Sequence, residues 1–294
     1  MKNDNPLVSI AVITYNSSEY ILETLESVKA QTYQNIELVV SDDCSSDNTI
    51  EICKKWIKKN KDQFRRSELI TMSTNSGVPS NCNRALYKSK GTWIKYIAGD
   101  DILNENCISK FIYHAKNDNF KHNFLFCNKT TFIDNITKIQ SQKISKIIER
   151  SYDKQLIKFA CTRPTIAPFL FINKDALLKL NGFDESYHLL EDSPLYFKAL
   201  KNNNFFLPID EDLVYYRLTD NSISNSDMPS VIFTKELRKF IELNIIPYLF
   251  SKGLLFNILK TNIEYNNKNN SLTNFYLKII NKLAQVERKF IYCI

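Results

Sequence analysis

Between residues 7 and 98 the chain alternates short runs of apolar β-formers with amphipathic helical stretches. This rhythm constrains the fold more than any other feature. The run Leu-Val-Ser-Ile-Ala-Val-Ile-Thr (7–14) reads as a strand buried on both faces. Tyr15-Asn16-Ser17-Ser18 is a turn that can cap the next helix, on which Ile21, Leu22, Leu25 and Val28 share a face. Residues 36–41 form a second buried strand ending at Asp42-Asp43, and Asp47-Asn48 can cap a helix with Ile50, Cys53 and Ile57 on one side. A third strand is expected at 69–72, a helix at 80–89 and a fourth strand at 93–98. Repeated strand–helix units predict a mostly parallel sheet flanked by helices, an α/β fold. Such sheets bind ligands beyond the carboxyl ends of their strands. Thr14-Tyr15-Asn16, Asp42-Asp43 and Asp100-Asp101 all fall there.

The stretch 104–225 mixes helices with short strands at 123–127 and 169–172, and Glu191-Asp192 opens a helix carrying Leu195, Ala199 and Leu200. A polar, turn-rich segment at 220–229 marks a boundary, and 266–270 reads as a loop. Near the end, Leu272, Phe275, Ile279, Leu283, Val286 and Phe290 recur at steps of three or four. That spacing predicts an amphipathic helix whose stripe packs on its own domain. The expected division is a main domain over 1–225, in halves of about 1–103 and 104–225, and a helical C-terminal extension over 226–294.

Composition excludes several classes. No apolar run approaches the ~20 residues that span a bilayer, and the polar start Met1-Lys2-Asn3-Asp4-Asn5-Pro6 lacks the apolar region of a secretory signal, so the expected compartment is the cytosol. The seven cysteines are odd in number, scattered and without a Cys-x-x-Cys pair; they read as reduced and mostly interior. Three histidines argue against a His-rich metal site. The net charge is +7, and ten Lys/Arg against five Asp/Glu place +5 of it within 226–294. A basic tail suits an anionic lipid surface, or is simply a solvated helix face. Nucleic acid is not expected, because the basic residues are not interleaved with aromatics on one face.

The two acidic pairs carry the chemistry. Asp100-Asp101 follows a buried strand, where a divalent cation can sit; Glu191-Asp192 opens a helix, where a carboxylate can act as a base. Together they suit displacement of a nucleoside diphosphate from a sugar.

The order of motifs resembles the family 2 glycosyltransferases, which have the GT-A fold. The matching residues are 8–16 (Val-Ser-Ile-Ala-Val-Ile-Thr-Tyr-Asn), Ser41-Asp42-Asp43-Cys44-Ser45-Ser46-Asp47, and Asn75-Ser76-Gly77 with Asn83. They continue with Ala98-Gly99-Asp100-Asp101, Asn181-Gly182-Phe183-Asp184-Glu185, Glu191-Asp192, and Tyr216-Arg217 with Asn221-Ser222-Ile223-Ser224. The resemblance implies that residues 1–103 bind the nucleotide and 104–225 the acceptor. It implies that Thr14, Tyr15, Asp43, Asn75 and Gly77 line the pocket of a nucleotide-diphosphate sugar, usually a uridine one. Asp42 is the structural member of its pair by this reading, and Gly77 either lets backbone approach closely or only makes a turn.

The acidic motif departs from the family's Asp-x-Asp, because Ala98 stands where the first Asp usually does. The metal contact, to Mn2+ or Mg2+, then falls to Asp100, with Asp101 a supporting or ribose-contacting residue. Asp192 resembles the general base and Glu191 an orienting partner. A single base opposite the leaving group implies inversion at the anomeric carbon. Arg217, in a turn after a strand at 212–216, is a candidate for the diphosphate, with Ser222 and Ser224 closing the same loop; Arg163 is a further anion contact to consider. His188 either reaches the acceptor or is a hydrogen-bonded surface residue. By resemblance the acceptor is a glycan or a polyprenyl-diphosphate-linked sugar of bacterial surface polysaccharide, such as O-antigen or capsule. The basic tail would then lie peripherally on the inner membrane.

Two rivals remain at this level. A degenerate sugar-nucleotide-binding scaffold would explain Ala98 but not an intact Asp192. A processive polysaccharide synthase would need membrane spans and usually a Gln-x-x-Arg-Trp motif, whereas Gln285-Val286-Glu287-Arg288-Lys289 lacks the Trp.

Overall fold

A computed structural model describes residues 5–133, 140–148, 151–162, 167–218, 230–266 and 271–292. Arg163, Asn221, Ser222, Ile223, Ser224 and the boundary segment 220–229 lie outside them. The first unit runs β1 (Val8–Thr14), α1 (Ile21–Lys29), β2 (Ile36–Asp42), α2 (Thr49–Asn60), β3 (Ser67–Thr71), α3 (Val78–Lys88) and β4 (Trp93–Ala98). It continues through β5 (Ile102–Leu103), α4 (Cys107–Asn117), β6 (Phe124–Phe126), β7 (Lys129–Phe132), β8 (Gln140–Gln142), α5 (Ile144–Ile147), α6 (Tyr152–Thr162), β9 (Leu170–Asn173) and α7 (Lys174–Lys179). Then come α8 (Asp192–Lys201), β10 (Phe206–Pro208) and β11 (Val214–Arg217). The C-terminal helices are α9 (Val231–Phe240), a π-helical turn Ile241–Ile245, α10 (Ile246–Ser251), α11 (Leu255–Asn266) and α12 (Ser271–Tyr292).

A seven-stranded sheet has the order β10-β6-β9-β4-β1-β2-β3. β1, β2, β3 and β4 are parallel, as the strand–helix rhythm requires. β9 runs antiparallel to both β4 and β6, so β6 points the same way as β4. The carboxyl ends of β1, β2, β4 and β6 therefore share one edge. A smaller sheet, β5-β11-β7-β8, stands beside it.

β1 and β2 are buried along nearly their whole length, which explains their continuous apolar runs. On α1, Ile21, Leu25 and Val28 are buried, but Leu22 is half exposed. Its expected place on the inner face goes to Thr24, whose hydroxyl donates to the Asp101 carbonyl (2.8 Å). Five of the cysteines, Cys53, Cys82, Cys107, Cys127 and Cys161, are buried, as expected of interior thiols.

Two further sequence expectations change. α9 and α10 are not appended: Phe240, Ile241, Ile245, Leu249 and Leu254 belong to the same core as β1, and Phe197 of α8 packs edge-on against Phe240 and Tyr248. Only α11 and α12, which form a hairpin, extend beyond it. On α12 the described part of the predicted stripe faces outward. Ile279, Leu283 and Val286 are exposed, and the buried face carries Ile280 and Ala284. Polar bonds decide that orientation: Glu287 accepts from the N–H groups of Phe256 and Asn257, and Arg288 donates to the Asn257 carboxamide. Among the described residues no helix is long and apolar enough to cross a membrane.

Candidate active site

The parallel register sets Thr14 beside Asp42 and Ile13 beside Ala98, so three strand ends meet. The Thr14 hydroxyl donates to Asp42 (2.7 Å), which also accepts from the Ser45 N–H and hydroxyl. Asp42 is thus the structural residue expected. Asp43 is buried too and makes more bonds. Its carboxylate accepts from the Ser76 N–H (3.0 Å) and hydroxyl (2.9 Å), the Gly77 N–H (2.7 Å) and Arg84 Nη2 (2.5 Å). A carboxylate offers about four lone-pair sites, so Asp43 clamps the 75–77 loop to the end of β2. Asn75 closes the same loop by accepting from the Gly77 N–H (3.1 Å). Tyr15 stands 52% exposed at the mouth. Asn81 of α3 donates to the Thr14 carbonyl (3.2 Å), while its Oδ1 is buried with no hydrogen-bond partner. Sequence reading did not single out Arg84 or Asn81, because both act across a fold contact without a local signature.

Gly77 has φ +92°, and a Cβ there would lie 2.4 Å from the His188 carbonyl oxygen. The close approach is therefore to protein. Val78 N–H donates to that same carbonyl (2.8 Å), joining the nucleotide half to the loop 181–190 before α8. Asn83 grips the other end of this loop, donating to the Phe183 carbonyl and Glu185 and accepting from the Phe183 N–H.

Asp100 and Asp101 follow β4 as expected. Asp101 is fully buried; its Oδ1 accepts from the Arg217 N–H (3.0 Å), and its Oδ2 has no partner. Burial raises the proton affinity of both carboxyls, and the Asp100 charge adds to that of Asp101. Arg217 is the last residue of β11, not part of a turn after it, and is buried. Its Nε donates to the Asp100 carbonyl (2.9 Å), its Nη2 to Glu23 (2.6 Å), and the guanidinium lies over the rings of Tyr20 and Phe132. Arg217 thus braces the Asp100 backbone. No cluster of three or more His, Cys, Asp or Glu able to hold a metal occurs among the described residues. The residues present, Asp100 above an orphaned Asp101 oxygen, fit a hard cation that draws its remaining oxygens from a ligand and water.

Glu191 and Asp192 open α8. Asp192 is buried and accepts from the Ser193 N–H (2.5 Å). Burial raises its pKa, opposed by that bond and by the positive charge of Lys129. Burial, the Asp192 charge and then Glu236 push Glu191 up to about 8. Of the two neighbouring carboxyls, Asp192 is the one that the positive charge of Lys129 favours as an anion. Lys129 opens β7 just past the carboxyl end of β6, and its charge acts on Asp192. Cys82 of α3 feels the charges of both Glu191 and Asp43, which places the pair close to the 75–77 loop. His188 contributes through its backbone. Lys129 and Glu236 escaped sequence reading, since nothing local to them signals a partner in α8.

The Glycosyl transferase family 2 model matches residues 9–175, more than half of the chain, and the chain belongs to that family. It is 35% identical over 102 residues to glycosyltransferase GlyG of Streptococcus pneumoniae, a match covering 35% of this chain and 33% of GlyG. It is 37% identical over 102 residues to TarS of Staphylococcus aureus, a poly(ribitol-phosphate) beta-N-acetylglucosaminyltransferase, covering 34% of this chain and 17% of TarS. The match thus spans a third or less of these relatives. In structure it is similar to TarS 1–349 in complex with UDP-GlcNAc (TM-score 0.60, 19% identity, 96% of this chain and 91% of that one). It is also similar to mannosyltransferase PcManGT from Pyrobaculum calidifontis in complex with GDP-Man and Mn2+ (TM-score 0.58, 12% identity, 97% and 87%). These likenesses give the GT-A type of fold expected from the sequence.

Proposed function

We propose that this chain is an inverting glycosyltransferase that moves one sugar from a nucleoside-diphosphate donor to an acceptor hydroxyl. The observation that carries the reading is the acidic pair after β4, Asp100-Asp101 with a buried unpartnered Asp101 oxygen, in a chain whose α8 opens on the buried Asp192. Donor binding falls to the first half. Tyr15 offers an exposed ring to the base; Thr14, Asp43, Asn75 and Gly77 shape the pocket wall. Asp100, with Asp101 and Arg217 fixing its backbone, is the residue to hold a Mg2+ or Mn2+ against the diphosphate. When bound, that cation offsets negative charge on the leaving group.

In the transfer, the acceptor oxygen attacks the anomeric carbon as the bond to the diphosphate oxygen breaks. The acceptor proton passes to the Asp192 carboxylate, and the nucleoside diphosphate leaves. Glu191 is the orienting partner of Asp192. The relatives support a UDP-sugar donor and a bacterial surface glycan acceptor. The exposed Leu255, Leu259, Leu283 and Val286 beside the basic residues of α11 and α12 support peripheral contact with an anionic membrane on which a lipid-linked acceptor would lie.

A panel of UDP- and GDP-sugars, assayed for nucleotide release with Mn2+, Mg2+ or chelator, tests the reading. One donor should be turned over, and chelator should abolish it. In Asp100→Ala the dependence of donor affinity on metal should vanish; retention of full metal dependence would remove Asp100 from the site.

A further inference from the structure

The loop 181–190 has no strand or helix of its own, yet it leads directly into Glu191 and Asp192. Its final stretch is held from an unexpected direction. Glu236 of α9 accepts from the N–H groups of three successive residues, His188 (2.5 Å), Leu189 (2.8 Å) and Leu190 (3.1 Å). Successive backbone N–H groups converging on one point form a concave anion receptor. Here the anion is a side chain from 46 residues downstream of Leu190, outside the stretch matched by the family model.

Two features set Glu236 apart from an ordinary cap. It touches the residues immediately before the catalytic pair, where a small displacement moves both carboxylates. Its carboxylate also bears on Glu191, which burial already disfavours as an anion. A neutral acceptor would hold the loop without that repulsion. The Glu236 charge adds to the proton affinity of Glu191.

We propose that Glu236 is a positioning residue for sugar transfer: it fixes the 188–190 backbone, and through it the Glu191-Asp192 pair, so that α9 is part of the catalytic machinery. The proposal rests on the reading of Asp192 as the base. The loop then has three fasteners, Asn83 at 183–185, Val78 at the His188 carbonyl and Glu236 at 188–190, and two of them come from the nucleotide half.

The experiment compares full-length Glu236→Ala, Glu236→Gln and Glu236→Asp with the native chain. The probe is the UDP- or GDP-sugar of the panel with the fastest nucleotide release. In Glu236→Ala, kcat should fall about 10²-fold, the scale of a 1 Å misplacement, with donor KM within twofold. Glu236→Gln, the same shape with one accepting oxygen, should fall less, and Glu236→Asp should recover part of the loss. Hydrogen exchange of the 188–190 amides should quicken at least tenfold in Glu236→Ala, with β1 and β2 unchanged. A kcat within threefold of native in both Ala and Gln variants overturns the proposal. So does an equal fall in kcat and donor affinity, which marks a general structural role. If Glu236→Ala does not fold, Glu236→Gln decides by the same two measurements. Asp192→Asn run in parallel separates the two ideas: an active Asp192→Asn defeats the base assignment, while an inactive one beside an active Glu236→Ala defeats only the positioning role.

Discussion

The nucleotide half and the half that carries the base are built on different principles. In the first, a parallel sheet brings Thr14, Asp42 and Ala98 together by register alone, and each polar residue sits next in sequence to the strand that places it. In the second, the base sits at the end of a loop that is pinned by residues scattered over the chain: Val78, Asn83 and Glu236. One half takes its placement from strand register, with bonds to Asp43 and from Arg217 securing its loops, and the other from long-range hydrogen bonds alone. The first should therefore tolerate point changes in its loops better than the second.

The strongest test of that contrast is at the base. Asp192→Asn keeps the volume and the bond from Ser193 but removes the proton acceptor. Transfer should fall by roughly 10²–10⁴-fold, while nucleotide binding, measured by calorimetry with UDP, stays within about twofold. Loss of both together would mean that the halves are not separable and that Asp192 supports the donor pocket.

Next comes the joint between them. Gly77→Ala must adopt φ +92° and would drive its Cβ into the His188 carbonyl. A side chain at such a φ destabilises by more than ~1 kcal/mol, and the clash should push the 188–190 stretch away as well. Urea unfolding should show the stability loss, and turnover should drop further than that loss explains. An Asn75→Ala control alters the same turn without touching His188. If Asn75→Ala costs as much turnover, the joint has no special role.

This contrast also explains what could be read from the sequence. Period and strand-end chemistry are local, so the parallel sheet, Asp42 as the structural acid and the place of both acidic pairs were legible. Asp43 was legible as important, but its bonding to Ser76, Gly77 and Arg84 depends on α3 docking against β2, which no local pattern encodes. Arg217 could be found as a motif residue, whereas its packing between Tyr20, Phe132 and Glu23 is set by two distant segments, the start of α1 and the end of β7. Lys129 and Glu236 had no local signal at all. α12 misled for a related reason: its outward stripe is the more apolar, and Asn257, a polar residue on another helix, selects the opposite face.

A smaller effect concerns pH. The Glu191 carboxyl titrates near 8 when folded, against 4.5 for the free group. Between those values the folded chain holds a proton that the unfolded chain has released, so stability falls as pH rises through this window. Glu191→Gln removes that dependence and relieves Asp192 of a neighbouring charge. Urea midpoints of the native chain should drop relative to Glu191→Gln from pH 5 to pH 8.5. A constant difference between the two proteins across that range would show that Glu191 ionises freely in the fold.

The smallest effects should come from the α11–α12 hairpin, which shares little with either half. Leu283 and Val286 face solvent, so Leu283→Ser should change stability by no more than about 0.5 kcal/mol. Ala284 is buried against Asn257, whose Nδ2 donates to the Ala284 carbonyl (3.2 Å). Ala284→Leu overpacks that contact and should cost about 1–3 kcal/mol. Read by urea unfolding, the pair of variants ranks the two faces of one helix directly. If Leu283→Ser proves the more damaging, the apolar stripe is the packed face after all, and the polar bonds from Glu287 and Arg288 do not orient the helix.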